Sequence, residues 1–153
     1  EELPRIKNIV IHKAPKTYDN VIFLDKKDQK ININEYRGNL LVLNFWATWC
    51  EPCKEEMPSL DKLQANPELD KIKIFPINIG KETLDKVNKF FIDLNIKNFE
   101  PYFDPPTTLA KMFSLRGVPT TILINKEGQE FARIIGSIDF EDKNFVNWIK
   151  KYN

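Results

Sequence analysis

Cysteine is scarce in this chain. Cys50 and Cys53 are the only two in 153 residues, so no framework of structural disulfides is available and the fold must be held by its core. One isolated pair fits either a reducing compartment or a redox enzyme working in an oxidising one. Histidine is scarcer still, with His12 alone. A structural zinc site wants four ligands, and neither a second cysteine pair nor a nearby histidine supplies the missing half. His12 itself is expected at the surface. An excess of one charge is also missing: 23 basic residues face 22 acidic ones, and the basic residues are mostly dispersed lysines. That excludes the broad positive footprint of a nucleic-acid-binding surface. No apolar run approaches the ~20 residues a membrane-spanning helix needs, and Glu1-Glu2-Leu3-Pro4 does not have the pattern of a signal peptide. The expectation is a soluble module, any targeting or anchoring segment lying ahead of Glu1. Internal repeats and low-complexity segments are absent.

What is present is a chain that is 42% hydrophobic, enough for one domain spanning residues 1–153. Residues 1–20, with Pro4 and Pro15, are expected as an extended N-terminal arm. Residues 21–24 and 30–33 flank a polar turn and predict a β-hairpin. Residues 40–46 are apolar at consecutive positions, which suits the buried middle of a parallel sheet. Cys53, Met57, Leu60 and Leu63 then recur at helical spacing, predicting a helix to about Ala65 with Pro58 inside it. A strand over 72–79 follows, and strand-helix-strand order implies a parallel right-handed crossover. Leu84, Val87, Phe90, Phe91 and Leu94 mark a helix over 82–94, after which 99–103 predicts a short strand broken by Pro101. Residues 104–107 form a turn, and 108–113 a short helix capped by a threonine. Strands 120–124 and 131–135 form a hairpin, and a last helix over 142–150 offers Phe145, Trp148 and Ile149 to the sheet.

The chemistry is concentrated in Trp49-Cys50-Glu51-Pro52-Cys53. Two residues separate the cysteines, and a helix begins at the first, so the pair can close a small disulfide ring. A thiol at a helix N-terminus sits among unpaired N–H groups that favour its thiolate, the attacking form. Glu51 opposes that thiolate by like charge, or is merely a surface acid of the first turn. A thiolate only weakly stabilised makes the dithiol an electron donor. Trp46, inside the apolar run, is expected in the core. Trp49, outside it, is expected as a partly exposed platform beside the sulfur. A second informative stretch is Arg116-Gly117-Val118-Pro119-Thr120, where the Val118–Pro119 bond before a strand is either cis or an ordinary trans turn.

Asn44-Phe45-Trp46-Ala47-Thr48-Trp49-Cys50-Glu51-Pro52-Cys53, Pro58 in the following helix, and Gly117-Val118-Pro119-Thr120 together resemble thioredoxin, from residue 20 onward. The hairpin, the Asn-Phe-Trp-Ala-Thr-Trp-Cys stretch and an extra strand-helix segment at about 72–103 are more similar to the TlpA/ResA branch of bacterial extracytoplasmic thiol-disulfide oxidoreductases. The resemblance implies an α/β thioredoxin-like fold: a central mixed sheet flanked by helices, with an N-terminal β-hairpin and a central strand-helix insert. It implies Cys50 as exposed nucleophile, Cys53 as buried resolving thiol, Pro119 as a cis-proline facing them, and Val118 as backbone partner of an extended substrate segment. Trp49 and Glu51 would flank that substrate. Thioredoxin carries a buried aspartate where this chain has Asn44. The glutamate that ResA-type proteins carry in the insert matches Glu82 only with one residue inserted after Gly80; the alternative is a solvated carboxylate at a helix start.

By the same resemblance the partners are disulfide-containing proteins, apocytochrome c or copper-site apoproteins, together with an upstream membrane thiol donor. The protein is then a monomer without cofactor or metal, in the periplasm or otherwise outside the cytoplasm, membrane-tethered at full length. A Sco-like copper metallochaperone is the rival on the same fold, but that family uses CxxxC plus a distal histidine. A thiol peroxidase would show a Pro-x-x-x-Thr-x-x-Cys pattern, which this sequence lacks.

Overall fold

The computed structural model describes residues 8–104 and 106–153. Its strands are β1 (Ile9–Lys16), β2 (Ile22–Leu24), β3 (Lys30–Asn32), β4 (Leu40–Trp46), β5 (Ile72–Asn78), β6 (Tyr102–Phe103), β7 (Thr120–Ile124) and β8 (Glu130–Ile135). Its helices are α1 (Glu51–Gln64), α2 (Leu84–Asp93), α3 (Thr108–Met112) and α4 (Lys143–Ile149). The strands join in one mixed sheet ordered β1-β8-β7-β4-β5-β6-β2-β3. β4 lies between β5, parallel to it, and β7, antiparallel. All seven of its residues are buried, as a strand covered on both faces requires.

Period-two alternation divides the side chains of β4. Leu40, Val42 and Trp46 enter the cluster built with α1, α2 and α4. Leu41, Leu43 and Phe45 enter the opposite cluster, with the β2–β3 hairpin and α3. α1 runs unbroken through Pro58 and buries Cys53, Met57, Leu60 and Leu63 on one face. Helix α2 buries Val87, Phe90 and Phe91, whereas Leu84, expected on the same apolar face, is exposed.

Three expectations change. Residues 1–7 of the N-terminal arm lie outside the described residues. The rest of it is extended over Ile9–Lys16 but is part of the sheet: β1 pairs antiparallel with β8 at the sheet edge, and the register shifts between Ile11 and Lys16, where Pro15 sits. His12 is not a free surface residue. Its Nε2 lies 2.5 Å from Oε2 of Glu130, which is fully buried and also accepts from Arg133 Nε at 2.7 Å and Tyr18 Oη at 2.8 Å. Burial pushes the Glu130 carboxyl up, but the donors from Arg133, His12 and Tyr18 outweigh it and hold the group below its ordinary value. Nothing in the local sequence pairs β1 with a carboxylate more than a hundred residues away. Finally, no threonine side chain caps α3: the Asp104 carboxylate accepts from the Leu109 and Ala110 amides at 2.9 and 3.0 Å.

Candidate active site

Cys50 is the N-cap of α1, with extended backbone angles, and its Sγ accepts from the Cys53 amide at 3.2 Å. The Cys50 amide donates to the Ala47 carbonyl at 3.2 Å, which closes a tight turn between the end of β4 and the helix. The two cysteines form a disulfide with their Cα atoms 5.3 Å apart. Cys50 is 4% exposed and Cys53 0%. Cys50, expected as the exposed sulfur, is thus itself buried in this disulfide form, though less completely than Cys53. Pro52 falls in the first helical turn, where no amide hydrogen bond is lost.

Around this pair the aromatic residues separate. Trp46 is fully buried, its ring 4.6 Å from that of Phe90 and 5.5 Å from Phe91. Trp49, one residue before Cys50, is 72% exposed, an open apolar plate where a partly exposed one is expected. The Glu51 side chain is equally open and lies 3.8 Å from Lys54, so water and a lysine both screen its charge.

The Val118–Pro119 peptide bond is cis. The register of β4 against β7 sets Phe45 opposite Thr120, which carries Pro119 to the end of β4 from which the cysteine turn departs. The Val118 side chain packs against the cluster that contains both cysteines. Pro119 is anchored in turn by its carbonyl, which accepts from the Gly136 amide at 2.9 Å.

Two carboxylates belong to the segments that flank the dithiol, Glu56 on α1 and Glu82 in the insert. Glu56 lies one helical turn beyond Cys53 on the inward face of α1 and is 2% exposed. Asn44 Nδ2 donates to its Oε1 at 2.8 Å, and the Ile138 amide to its Oε2 at 3.2 Å. Burial pushes its carboxyl up to about 7, against the smaller pull of those two donors. No motif singles out Glu56, yet it carries a signal in the sequence: it interrupts the apolar stripe of α1 at the position three residues after Cys53. Through Asn44 this carboxyl touches the position where thioredoxin carries its aspartate.

Glu82 comes from the insert, ahead of the Thr83 cap of α2, and its side chain is only 7% exposed, which overturns the picture of a solvated carboxylate. Its Oε1 accepts from the Thr48 amide at 2.7 Å and from Asn78 Nδ2 at 2.9 Å. Its Oε2 accepts from Thr48 Oγ1 and lies 3.3 Å from Lys86 Nζ. Burial pushes this carboxyl up as well, but the hydrogen bonds from Thr48, Asn78 and Lys86 prevail and hold it below the ordinary carboxylate value. As for metals, Cys50 and Cys53 are the only thiol donors, and no cluster of three or more His, Cys, Asp or Glu able to hold an ion occurs among the described residues.

A redox-capable cysteine pair at a helix tip, beside a cis-proline on the neighbouring strand of a mixed sheet, defines a thioredoxin-fold thiol-disulfide oxidoreductase. The chain belongs to the AhpC/TSA family, whose model matches residues 10–129. It is of the TlpA/ResA type. It is 31% identical over 126 residues to thiol-disulfide oxidoreductase ResA of Geobacillus kaustophilus, covering 82% of this chain and 71% of that protein. Among solved structures it is similar to StoA from Bacillus subtilis, with a TM-score of 0.68 and 25% identity over 87% of this chain and 96% of that one. It shares its fold with a DsbF homologue from Corynebacterium diphtheriae, with a TM-score of 0.78 and 21% identity over 99% and 97% of the two chains.

Proposed function

We propose that this chain is a reductant of disulfides in extracytoplasmic proteins, acting through the Cys50/Cys53 couple, with apocytochrome c or copper-site apoproteins as targets and a membrane thiol donor upstream. One observation carries the reading: a disulfide-forming pair whose outer sulfur caps a helix, with a cis Val118–Pro119 bond leading the strand next to β4 and an exposed tryptophan one residue before Cys50.

In the reduced chain the Cys50 thiolate attacks one sulfur of the target disulfide. A mixed disulfide forms, and the first target thiolate leaves. Cys53 then loses its proton and attacks Cys50 Sγ, releasing the second target thiol and closing the Cys50–Cys53 bond, so that two electrons pass to the target. The target backbone lies along Val118 as an added strand, with Trp49 and Glu51 at its flanks. For the Cys53 proton, Glu82 is the acceptor suggested by family resemblance. Glu56 is better suited, because its carboxyl is held near neutrality and it shares a helix face with Cys53. The location outside the cytoplasm rests on the similarity to ResA-type proteins.

Replacing Cys53 by serine removes the resolving thiol. Cys53→Ser is expected to trap target proteins as a covalent complex through Cys50, visible as a reducible band on a gel. Normal turnover by that variant would defeat the mechanism. The copper-carrier reading predicts instead stoichiometric copper that survives a competing chelator and requires both cysteines.

A further inference from the structure

The insert meets the cysteine turn through one side chain. Between Asn78, the last residue of β5, and Glu82 the backbone passes through two consecutive left-handed residues, Gly80 at φ +88° and Lys81 at φ +59°. For a lysine that conformation is costly and persists only where its surroundings enforce it. What the double reversal accomplishes is to bring the Glu82 carboxylate back onto Thr48. The frame behind it is fixed, since the Ile79 amide donates to the Trp46 carbonyl at 3.0 Å and the Asp104 amide to the Asn78 carbonyl at 3.1 Å.

A carboxylate offers about four lone-pair sites. On Glu82 each oxygen has two cationic or N–H/O–H neighbours: the Thr48 amide and Asn78 Nδ2 at Oε1, Thr48 Oγ1 and Lys86 Nζ at Oε2. No site is left for a thiol proton unless one of these four neighbours is given up, and two of the four belong to Thr48 in the turn. Thr48 lies inside the turn closed by the Cys50 amide and the Ala47 carbonyl, so fixing its amide and hydroxyl fixes the path into Cys50. We infer that Glu82 is a positioning residue, a clamp by which the inserted segment holds the turn 47–50, and with it the Cys50 sulfur, in its attacking place.

This inference rests on the proposed dithiol cycle, and the two can fail separately. The test compares Glu82→Gln, Glu82→Ala and Thr48→Val in the full chain, reading insulin disulfide reduction and the rate of Cys50 alkylation by iodoacetamide against pH. Glutamine keeps an acceptor oxygen for the Thr48 amide and an NH2 toward the hydroxyl, so Glu82→Gln is expected to slow reduction by no more than about threefold, whereas Glu82→Ala loses about tenfold or more. With the turn released, the high-pH plateau of Cys50 alkylation, where all of the sulfur is thiolate, is expected to rise about threefold in Glu82→Ala and less in Thr48→Val, and to stay near that of the unaltered chain in Glu82→Gln. Loss of one negative charge also moves the Glu82→Gln alkylation profile toward lower pH.

A glutamine variant as slow as the alanine variant, about a hundredfold down as for a lost general base, would overturn the clamp and restore Glu82 as proton acceptor. An alanine variant with an unchanged plateau would also overturn it. If Glu82→Ala does not fold, the glutamine and Thr48→Val comparisons still decide. If the unaltered chain fails to reduce insulin, the proposed function is what suffers, while the alkylation plateaus still report on the clamp.

Discussion

The helix side and the insert side of the dithiol each hold a glutamate withdrawn from bulk water, Glu56 fully and Glu82 in part, and the two are tuned in opposite directions. Glu56, 2% exposed, has two donors, and its carboxyl is pushed up to about 7. Glu82 is partly buried, and its carboxyl is held down because Thr48, Asn78 and Lys86 surround it. Burial alone therefore does not decide what a carboxylate near a reactive thiol can do. The balance of burial against donors does: full burial with two donors leaves Glu56 able to take up a proton near neutral pH, and partial burial with four neighbours makes Glu82 an anchor.

The sharpest way to break the contrast is to put a second acid beside Glu56. Asn44→Asp replaces the donor at 2.8 Å by a like charge inside the core. The variant is expected to lose about 4 kcal/mol of unfolding free energy at pH 8, and much less at pH 5, where one proton can be shared. Equal losses at the two pH values would show that Glu56 is not the partner that matters.

Next comes pH dependence. Because the Glu56 carboxyl titrates near 7 in the fold instead of the ordinary 4.5, the folded chain binds this proton more tightly. Its contribution favours folding below pH 4.5 and is lost as pH rises to about 7. Urea unfolding of the oxidised chain should therefore show roughly 2 to 3 kcal/mol less stability from this group at pH 8 than at pH 5. Glu56→Gln should flatten that slope. Glu82 works with the other sign: its depressed carboxyl stabilises the fold above the ordinary 4.5, and that stabilisation is lost as pH falls below it. The smallest effect is Lys86→Ala. This side chain is 60% exposed at 3.3 Å from Glu82, so its removal should cost no more than about 0.5 kcal/mol and weaken further in salt. A larger cost would mean that the lysine, and not Thr48, carries the clamp.

How much of this was legible beforehand depended on the range of each interaction. β4 was legible as a continuous apolar run, and α1 from the spacing of Cys53, Met57, Leu60 and Leu63, because strand and helix periods are properties of short stretches. The cysteine pair and the Val118–Pro119 join were legible for the same reason. Helix α3 was placed correctly but its cap was misassigned, since Asp104 reaches over a turn to amides five and six residues on. The extended N-terminal arm was legible but its pairing as β1 was not, because its ladder partner and the Glu130 that receives His12 both lie on β8, more than a hundred residues away.

The amino-acid order by itself determined the dithiol, the helix that presents it, the proline-led strand and the family to which they belong, since each is written in contiguous residues with local conformational preferences. Which acid could take a proton and which could only hold a loop was decided by the tertiary structure. A carboxyl group's affinity for a proton depends on how much water it loses and how many donors replace that water, and both are set by segments distant in the chain: Asn44 and Ile138 around Glu56, Thr48 around Glu82.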